Sequence, residues 1–308
     1  MRAFIFPGQG SQAVGMGAAL ADASRAAKDV FDEVDEALGQ NLFRLMREGP
    51  DEELKLTENA QPAIMANSIA VLRTMGVRLA DVASFVAGHS LGEYSALCAA
   101  GSFDLSTTAK LLRLRGQAMQ EAVPVGEGAM AALLGADLSL AQKIADAAAE
   151  GEICTVANDN DPSQVVISGA KGAIDRAVQI AKDMGAKRAV LLPVSAPFHC
   201  PLMQPAAEAM ADALSYVVLQ PPAVPVFSNV TAEPTTDSDA IRNQLVEQVT
   251  GMVRWRESVA NMFDAGVHEF VEVGGKVLGS MVKRIAPDAT VTSVVTIEDV
   301  EALAKEIA

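Results

Sequence analysis

The spacing of hydrophobic and polar residues along the chain predicts a mixed α/β protein. Short apolar runs, typical of buried strands, alternate with longer stretches in which apolar residues recur every three or four positions, as they do in helices. The predicted strands occupy residues 3–6, 130–134, 153–157, 164–168, 188–192, 225–229, 268–273 and 291–295, with a further apolar run that ends at Gly88. The predicted helices occupy residues 21–38, 57–75, 93–100, 106–123, 139–149, 170–184, 241–250 and 255–265.

The middle of the chain has an order of elements of its own. Residues 128–193 read as strand, helix, strand, turn at residues 158–162, strand, helix and strand, and βαββαβ is the ferredoxin-like pattern. Gly126 precedes this segment and Pro193 ends it, and both residue types are typical of turns between elements. We therefore expect an inserted small domain in a larger α/β domain, with the small domain at residues 126–193 and the large domain at residues 1–125 and 194–308.

A Gly-His-Ser-Leu-Gly sequence at residues 88–92 separates an apolar run from a predicted helix. In a G-x-S-x-G elbow the glycines let a strand turn sharply into a helix and push the serine hydroxyl into a cleft. Ser90 would also lie at a helix N-terminus, where unpaired N–H groups and the helix dipole favour developing negative charge. We interpret Ser90 as a nucleophile; the alternative is a plain tight turn.

Histidine is the usual base for a serine nucleophile, and the chain has three. His89 adjoins the serine, but its side chain points elsewhere from an elbow, so we expect it to shape the pocket. His268 opens a predicted strand, where a structural role is favoured. His199 lies in a proline-punctuated loop between the predicted domains, where clefts and catalytic groups gather, and we interpret it as the base. Because no acid is an obvious third member, we expect a Ser-His dyad whose imidazole is oriented by a carbonyl or amide.

Arg115 falls on the apolar side of the predicted helix at residues 106–123. A guanidinium that faces a core needs an anion, because burying it alone is very costly. Two partners satisfy this requirement equally well. One is a protein carboxylate such as Glu93, and the other is a substrate carboxylate held by two parallel hydrogen bonds.

The loop after the first predicted strand contains Gly8-x-Gly10-x-x-Ala13, which fits the dinucleotide-binding fingerprint. That fingerprint requires a second strand that ends in an acidic residue about twenty positions later. Here residues 21–38 have helical spacing, and the acidic residues Asp32 and Glu33 fall within that helix. The loop is therefore expected to present a backbone N–H to a ligand rather than to bind a dinucleotide.

Composition narrows the function classes further. With 308 residues, half of them hydrophobic, the chain can bury a large core. A net charge of −15 argues against nucleic acid, and Lys276, Lys283 and Arg284 form either a local basic cluster or a solvated helix face. The three cysteines have no metal-like spacing and fit a reducing compartment. The absence of a leader-like N-terminus and of long apolar stretches predicts a soluble, cytoplasmic protein.

These motifs occur in an order that resembles a known family. The chain reads Phe-Pro-Gly-Gln-Gly-Ser-Gln at residues 6–12, Gln-Pro-Ala at 61–63, Gly-His-Ser-Leu-Gly-Glu at 88–93, Leu-Arg-Gly at 114–116, Asn-x-Asn-x-Pro at 158–162 and Pro-Phe-His at 197–199. Over essentially its whole length it closely resembles the malonyl-CoA:acyl carrier protein transacylases of bacterial fatty-acid synthesis and the acyltransferase domains of polyketide synthases. The resemblance implies an α/β-hydrolase-like large domain that carries a ferredoxin-like small one.

The resemblance also implies roles for individual residues. Ser90 would become malonylated, His199 would be its base, and the backbone carbonyl of Gln248 would orient the imidazole. Arg115 would hold the malonyl carboxylate, and the backbone N–H groups of Gln9 and Leu91 would form the oxyanion hole. The remaining expected cleft residues are Gln61, Asn158, His89 and Phe198.

The implied reaction is a ping-pong transfer of malonyl from malonyl-CoA to the phosphopantetheine thiol of holo acyl carrier protein. It implies no cofactor or metal, and we expect a monomer. The chain length, with no attached ketosynthase or carrier segment, favours fatty-acid over polyketide synthesis. The rivals are a serine hydrolase with the same dyad and a non-catalytic subunit that binds carrier protein. One departure from the family concerns residues 272–278, which are one residue shorter and lack a proline; this puts the shape of the Gly274-Gly275 loop and partner docking in question.

Overall fold

A computed structural model describes residues 1–307 and arranges their strands in two sheets. A six-stranded sheet has the order β10-β9-β1-β2-β7-β8, and a four-stranded sheet has the order β4-β5-β3-β6. The strands are β1 (Arg2–Phe6), β2 (Phe85–Gly88), β3 (Gly128–Leu134), β4 (Cys154–Asp161), β5 (Gln164–Ala170), β6 (Arg188–Leu191), β7 (Val226–Phe227), β8 (Pro234–Thr235), β9 (Glu269–Val273) and β10 (Thr290–Val294).

The helices surround both sheets. In chain order they are α1 (Ala18–Ala23), α2 (Arg25–Leu38), α3 (Leu42–Glu48), α4 (Asp51–Leu54), α5 (Thr57–Met75), α6 (Leu79–Val82), α7 (Leu91–Ala99), α8 (Leu105–Glu121), α9 (Leu138–Ala149), α10 (Lys171–Ile180), α11 (Gln204–Ser215), α12 (Ser238–Thr250), α13 (Trp255–Asp264), α14 (Leu278–Ile285) and α15 (Ile297–Ile307). Among residues 1–307, no helix combines the length and apolar character needed to cross a bilayer.

The large sheet is buried on both faces, as parallel sheets usually are. Strands β10, β9, β1, β2 and β7 are parallel, and β8 is antiparallel to β7. Along β1, Phe4 and Phe6 enter a core shared with α2, α5 and α8, whereas Ala3 and Ile5 enter a second core with α13 and α14. The end of β2 that carries Gly88 therefore lies at the centre of a helix-covered sheet.

The small sheet is antiparallel throughout, and α9 and α10 cover one of its faces. Along β3, Ala131 and Leu133 pack on these helices, whereas Met130 and Ala132 face the core of the large domain. The βαββαβ order and the strand order are ferredoxin-like, and the predicted fold class is confirmed. The exact domain bounds at residues 126 and 193 stay a prediction.

Three predicted elements are corrected by the structure. The helix predicted for residues 21–38 is two helices, because Ser24 is extended (φ −130°) and its hydroxyl accepts the N–H of Ala27 as the N-cap of α2. The turn predicted for residues 158–162 is wrong for residues 158–161, which continue β4. The reason is that these residues pair with β5. On the other side, Asp159 N–H donates to the carbonyl of Val253 (2.9 Å), whose own N–H donates to the carbonyl of Ala157 (2.8 Å). The strand predicted at residues 225–229 shrinks to Val226–Phe227.

Two ion pairs join the small sheet to helices of the large domain. The carboxylate of Asp159 lies 2.7 Å from the guanidinium of Arg256 on α13, and that of Asp161 lies 2.8 Å from the guanidinium of Arg284 on α14. Both carboxylates are buried, with side-chain exposures of 2% and 0%. Of the three residues considered as a basic cluster, Arg284 is thus paired with Asp161, and Lys283 donates to the carbonyl of Ala289.

The shortened loop after β9 is held by hydrogen bonds. Gly274 adopts φ +82°, and its carbonyl accepts from the side chain of Asn67 (2.9 Å). Glu272 is fully buried, and its carboxylate accepts the N–H groups of Val277, Leu278 and Gly279 at 2.7 to 2.9 Å. A carboxylate in this position caps α14 and interacts favourably with its dipole.

Candidate active site

Ser90 lies between the end of β2 and the start of α7, in a strained backbone conformation (φ 54°, ψ −113°). A Cβ atom at Gly88 would come within 1.9 Å of the Gly92 backbone, and one at Gly92 within 2.3 Å of the carbonyl oxygen of Phe6. Only glycine fits at both positions, because real Cβ contacts are never this short. The local sequence thus fixes a sharp strand-to-helix turn with the serine at its apex.

Asn229 fixes this turn from the opposite side. Its Oδ1 accepts the N–H of Ser90 (2.7 Å), and its Nδ2 donates to the carbonyl of Gly88 (2.6 Å). The sequence interpretation missed this residue, which stood at the end of a predicted strand. Because the N–H of Ser90 is bonded to Asn229, the backbone donors that remain near the hydroxyl belong to other residues.

The hydroxyl of Ser90 lies 2.8 Å from Nε2 of His199. Nδ1 of His199 lies 2.9 Å from the backbone carbonyl of Gln248 on α12. A carbonyl oxygen can only accept, so Nδ1 carries the proton and Nε2 presents its lone pair to the hydroxyl. Burial and then the positive charge of Arg115 lower the pKa of His199 to about 3, which keeps the imidazole neutral at neutral pH.

Arg115 extends from α8 into the same site and is 1% exposed. Nη1 donates to Oε1 of Gln61 (2.8 Å), and Nη2 donates to Oε1 of Gln248 (2.9 Å) and to the hydroxyl of Ser90 (3.1 Å). The ion pair with Glu93 considered from the sequence is absent: among residues 1–307, no carboxylate lies within 4.0 Å of this guanidinium. Burial lowers the pKa of Arg115, yet at neutral pH it is a cation that has only neutral acceptors.

Glu93, in the first turn of α7, is the other buried charge near the serine and is 2% exposed. Its Oε2 accepts the N–H of Asn229 (3.1 Å) and the side-chain Nε2 of Gln248 (2.7 Å). Burial raises the pKa of Glu93 to about 7, against the lowering effect of these hydrogen bonds and of Arg115. The sequence interpretation considered this residue only as a partner for Arg115.

A cleft of about 440 Å³ between the two sheets opens onto these groups. Its lining contains two cations, Lys55 and Arg115, and, within residues 1–307, no carboxylate. His89, at its edge, pairs through Nε2 with Oδ1 of Asn160 (2.8 Å). The predicted site residues that line the cleft are Gln9, Gln61, His89, Ser90, Leu91, Arg115, Asn158, Phe198 and His199. Gln248 stands behind it, and His268 packs on Phe263 outside this lining.

Gln9 and Leu91, whose backbone N–H groups are predicted to form an oxyanion hole, both line the cleft. Leu91 is the first residue of α7, a position whose N–H has no acceptor within the helix. Gln9 lies on the loop after β1, where its side chain accepts a hydrogen bond from the hydroxyl of Thr57 (3.0 Å). A loop N–H and the N–H after the nucleophile are the pair that G-x-S-x-G hydrolases use.

A second cavity, of about 420 Å³, lies against Glu33, Arg73 and Cys98, away from these groups. Burial raises the pKa of Cys98 to about 11, so its thiol is protonated and weakly nucleophilic at neutral pH. Within residues 1–307 no group of three His, Cys, Asp or Glu side chains is arranged to hold a metal ion. The cleft beside Ser90 is therefore the candidate active site among the described residues.

Comparison with known proteins agrees in sequence and in fold. The sequence model of the acyl transferase domain family matches residues 3–289. The chain is 46% identical over 292 residues to the malonyl CoA-acyl carrier protein transacylase of Escherichia coli strain K12, with 94% of each chain covered. It superposes with a TM-score of 0.97 on the acyl-carrier-protein-S-malonyltransferase of Bartonella henselae, at 51% identity over 99% of each chain. A TM-score of 0.96, with 40% identity over 99% of each chain, relates it to a malonyl-transacylase in complex with a holo type II PKS acyl-carrier protein.

Proposed function

This chain belongs to the acyl transferase domain family, among the malonyl CoA-acyl carrier protein transacylases, and from that premise we propose that it moves malonyl from CoA to acyl carrier protein through an acyl-enzyme on Ser90. One observation carries the proposal. The Ser90 hydroxyl lies 2.8 Å from a neutral imidazole and 3.1 Å from a buried guanidinium without a carboxylate partner within residues 1–307. A base beside the oxygen and a cation for the acyl group are what this transfer requires.

In the first half-reaction the Ser90 oxygen attacks the thioester carbonyl of malonyl-CoA. Nε2 of His199 takes the hydroxyl proton, and Nδ1 keeps its hydrogen bond to the carbonyl of Gln248. The N–H groups of Gln9 and Leu91 stabilise the tetrahedral oxyanion. When the intermediate collapses, the C–S bond breaks, His199 returns its proton to the departing sulfur, and malonyl remains as an ester on Ser90.

In the second half-reaction the phosphopantetheine thiol of holo acyl carrier protein occupies the position that CoA has left. His199 takes the thiol proton, the thiolate attacks the malonyl ester, and the C–O bond to Ser90 breaks. The Ser90 oxygen then recovers the proton from His199, which regenerates the enzyme. The two thiols use the same site in turn, so the kinetics are ping-pong. A related malonyl-transacylase has been solved with its carrier protein, which supports a carrier protein as acceptor.

Arg115 selects the acyl group in this proposal. The free carboxylate of malonyl matches a guanidinium whose acceptors, Gln61, Gln248 and the Ser90 hydroxyl, are all neutral. A carboxylate makes shorter and stronger hydrogen bonds to guanidinium than a carboxamide does. Malonyl therefore gains an interaction that acetyl lacks, and we propose that the product serves fatty-acid synthesis.

Intact-protein mass spectrometry tests the proposal. After mixing with malonyl-CoA, we expect a malonyl-sized mass increase that peptide mapping places on Ser90, and its discharge when holo acyl carrier protein is added. The variant S90A is expected to take up no malonyl and to lose transfer by at least about 10³-fold. Rapid release of free malonate without carrier protein would indicate a hydrolase instead. Full function of S90A would indicate a non-catalytic carrier-binding subunit.

A further inference from the structure

The two buried charges nearest the serine, Glu93 and Arg115, do not meet. The carboxamide of Gln248 lies between them: its Nε2 donates to Glu93 Oε2 (2.7 Å), and its Oε1 accepts from Arg115 Nη2 (2.9 Å). Gln248 is itself fully buried on α12. Among residues 1–307, neither Glu93 nor Arg115 forms an ion pair shorter than 4.0 Å, and Gln248 is the side chain that hydrogen-bonds to both charges.

The carboxamide is held in one orientation. Rotating it by 180° would place its oxygen against the Glu93 carboxylate and its NH₂ against the Arg115 guanidinium, which replaces two attractions with two repulsions. Nε2 also donates to the backbone carbonyl of Ser90 (3.1 Å), a bond that the rotated form loses. Glu93 itself is held by the N–H of Asn229 (3.1 Å). The acceptor at residue 93 therefore acts together with the Ser90 carbonyl to keep Oε1 of Gln248 facing Arg115.

We propose that Glu93 is a positioning residue that acts through Gln248 to aim the Arg115 guanidinium at the carboxylate of the acyl group. The inference rests on the proposed function and deepens it, because it assigns acyl selectivity to a residue that does not line the cleft. Nη1 of Arg115 is held by Gln61. Gln248 therefore positions Nη2, which is also the nitrogen that contacts Ser90.

The role requires an acceptor oxygen more than a negative charge. With a pKa of about 7, Glu93 is partly protonated near neutrality, and a protonated carboxyl still presents a carbonyl oxygen to Gln248. Glutamine at this position also presents an oxygen of the same reach, whereas leucine has a similar size and presents none. The pair E93Q and E93L therefore separates hydrogen-bond acceptance from the filling of space.

The experiment measures kcat/KM for malonyl-CoA and for acetyl-CoA, with holo acyl carrier protein as acceptor. We expect E93L to lower the malonyl-to-acetyl ratio by about tenfold or more, since small displacements of a positioning group have effects of that size. We expect E93Q to keep the ratio within about threefold of the wild type, as rescue by the conservative variant. The matched control is E272L, which removes another buried carboxylate, the one that caps α14; it is expected to reduce stability and leave the ratio unchanged.

Two results overturn the proposal: an unchanged ratio in E93L, whether or not both activities fall together, and a ratio in E93Q that falls as far as it does in E93L. The variant Q248L supplies a second test, which decides the matter if E93L does not fold. Q248L removes the carboxamide and is expected to lower the malonyl-to-acetyl ratio as much as E93L does. The double variant E93L/Q248L is expected to lower the ratio no further than either single variant. A wild-type ratio in Q248L overturns the proposal.

The failure of the proposed function and the failure of the positioning role are distinguishable. If the wild-type protein transfers no malonyl, the proposed function fails. If it transfers malonyl and the ratio is the same in all variants, only the positioning role fails.

Discussion

The guanidinium of Arg115 lies 3.1 Å from the hydroxyl of Ser90, so the one buried cation in the cleft lining of residues 1–307 touches the oxygen proposed to attack the thioester. The residue proposed to bind the acyl carboxylate is therefore in contact with the proposed nucleophile. A malonyl carboxylate drawn to the guanidinium brings its own thioester carbonyl close to the nucleophile. The same positive charge contributes to the low pKa of His199, which keeps the base free of its proton.

Replacing Arg115 is expected to change substrate choice more than activity as such. The variant R115M should lose about 2 to 5 kcal/mol of transition-state binding for malonyl-CoA, or about 30- to 5,000-fold in kcat/KM, because a desolvated carboxylate loses its cation. Transfer from acetyl-CoA should change by less than about threefold. The matched control is R113M, since Arg113 lies on the same helix but bonds to Asn59 and Gln40 outside the cleft. Equal losses with both substrates in R115M would contradict this assignment.

The pH dependence of kcat/KM should reflect the low pKa of His199. Only the neutral imidazole can take the serine proton, and its pKa of about 3 lies well below the ordinary value of 6.5. Activity on acetyl-CoA, which has no acyl carboxylate of its own, should therefore persist below pH 5. In R115M the acidic limb of the kcat/KM profile should move to higher pH, because removing the positive charge of Arg115 raises the pKa of His199. An acidic limb at pH 6.5 in the wild type would show that His199 titrates as an ordinary histidine.

Glu93 and His199 should give stability opposite dependences on pH. The pKa of Glu93 is raised from 4.5 to about 7, so its contribution to stability is present below pH 4.5 and is lost as pH rises to 7. The pKa of His199 is lowered from 6.5 to about 3, so its contribution is present above pH 6.5 and is lost as pH falls to 3. Denaturant unfolding between these limits should show E93Q gaining stability over the wild type with rising pH, by up to about 1.4 kcal/mol per pH unit. H199Q should show the reverse trend, and parallel curves for the three proteins would refute both shifts.

The glycine after the nucleophile should tolerate no side chain. In G92A the new methyl group would lie 2.3 Å from the carbonyl oxygen of Phe6, and backbone atoms can yield only by distorting β1 or α7. We expect a loss of about 1 to 3 kcal/mol or more in the free energy of unfolding, together with loss of transfer activity. The control is G172A on α10, where the nearest atoms belong to flexible side chains and alanine favours the helix by about 1 kcal/mol. Normal stability in G92A would mean that the turn is looser than the structure indicates.

Local pattern predicts those parts of the fold and site that depend on neighbours in sequence. Most strands and helices follow from periodicity, and the elbow around Ser90 follows from two glycines between an apolar run and a helix. Arg115 is recognisable because a charged residue falls on an apolar helix face. Helices α11 and α15 lie in segments for which the pattern predicts no element, although each buries an apolar stripe against the rest of the protein.

The parts of the fold and site that local pattern does not predict are determined by contacts between segments far apart in sequence. Asn229 reaches Ser90 across 139 positions, and Gln248 reaches Glu93 across 155, so no local spacing signals either contact. The extension of β4 beyond Ala157 depends on pairing with β5 on one side and with Val253 on the other, which a single strand's composition cannot show. Gln248 shares the buried face of α12 with Ile241, Leu245 and Val249, but its role becomes visible only when its hydrogen-bond partners are in place.

The ion pairs of Asp159 and Asp161 have a consequence for how the molecule comes apart. Each buried carboxylate belongs to the small domain, and each guanidinium belongs to the large one. If either domain melted alone, both ion pairs would break, and the carboxylates of Asp159 and Asp161 would lose the guanidinium partners that compensate their burial. The two ion pairs therefore couple the small domain to the large one, and we expect both walls of the cleft to be lost in the same unfolding step.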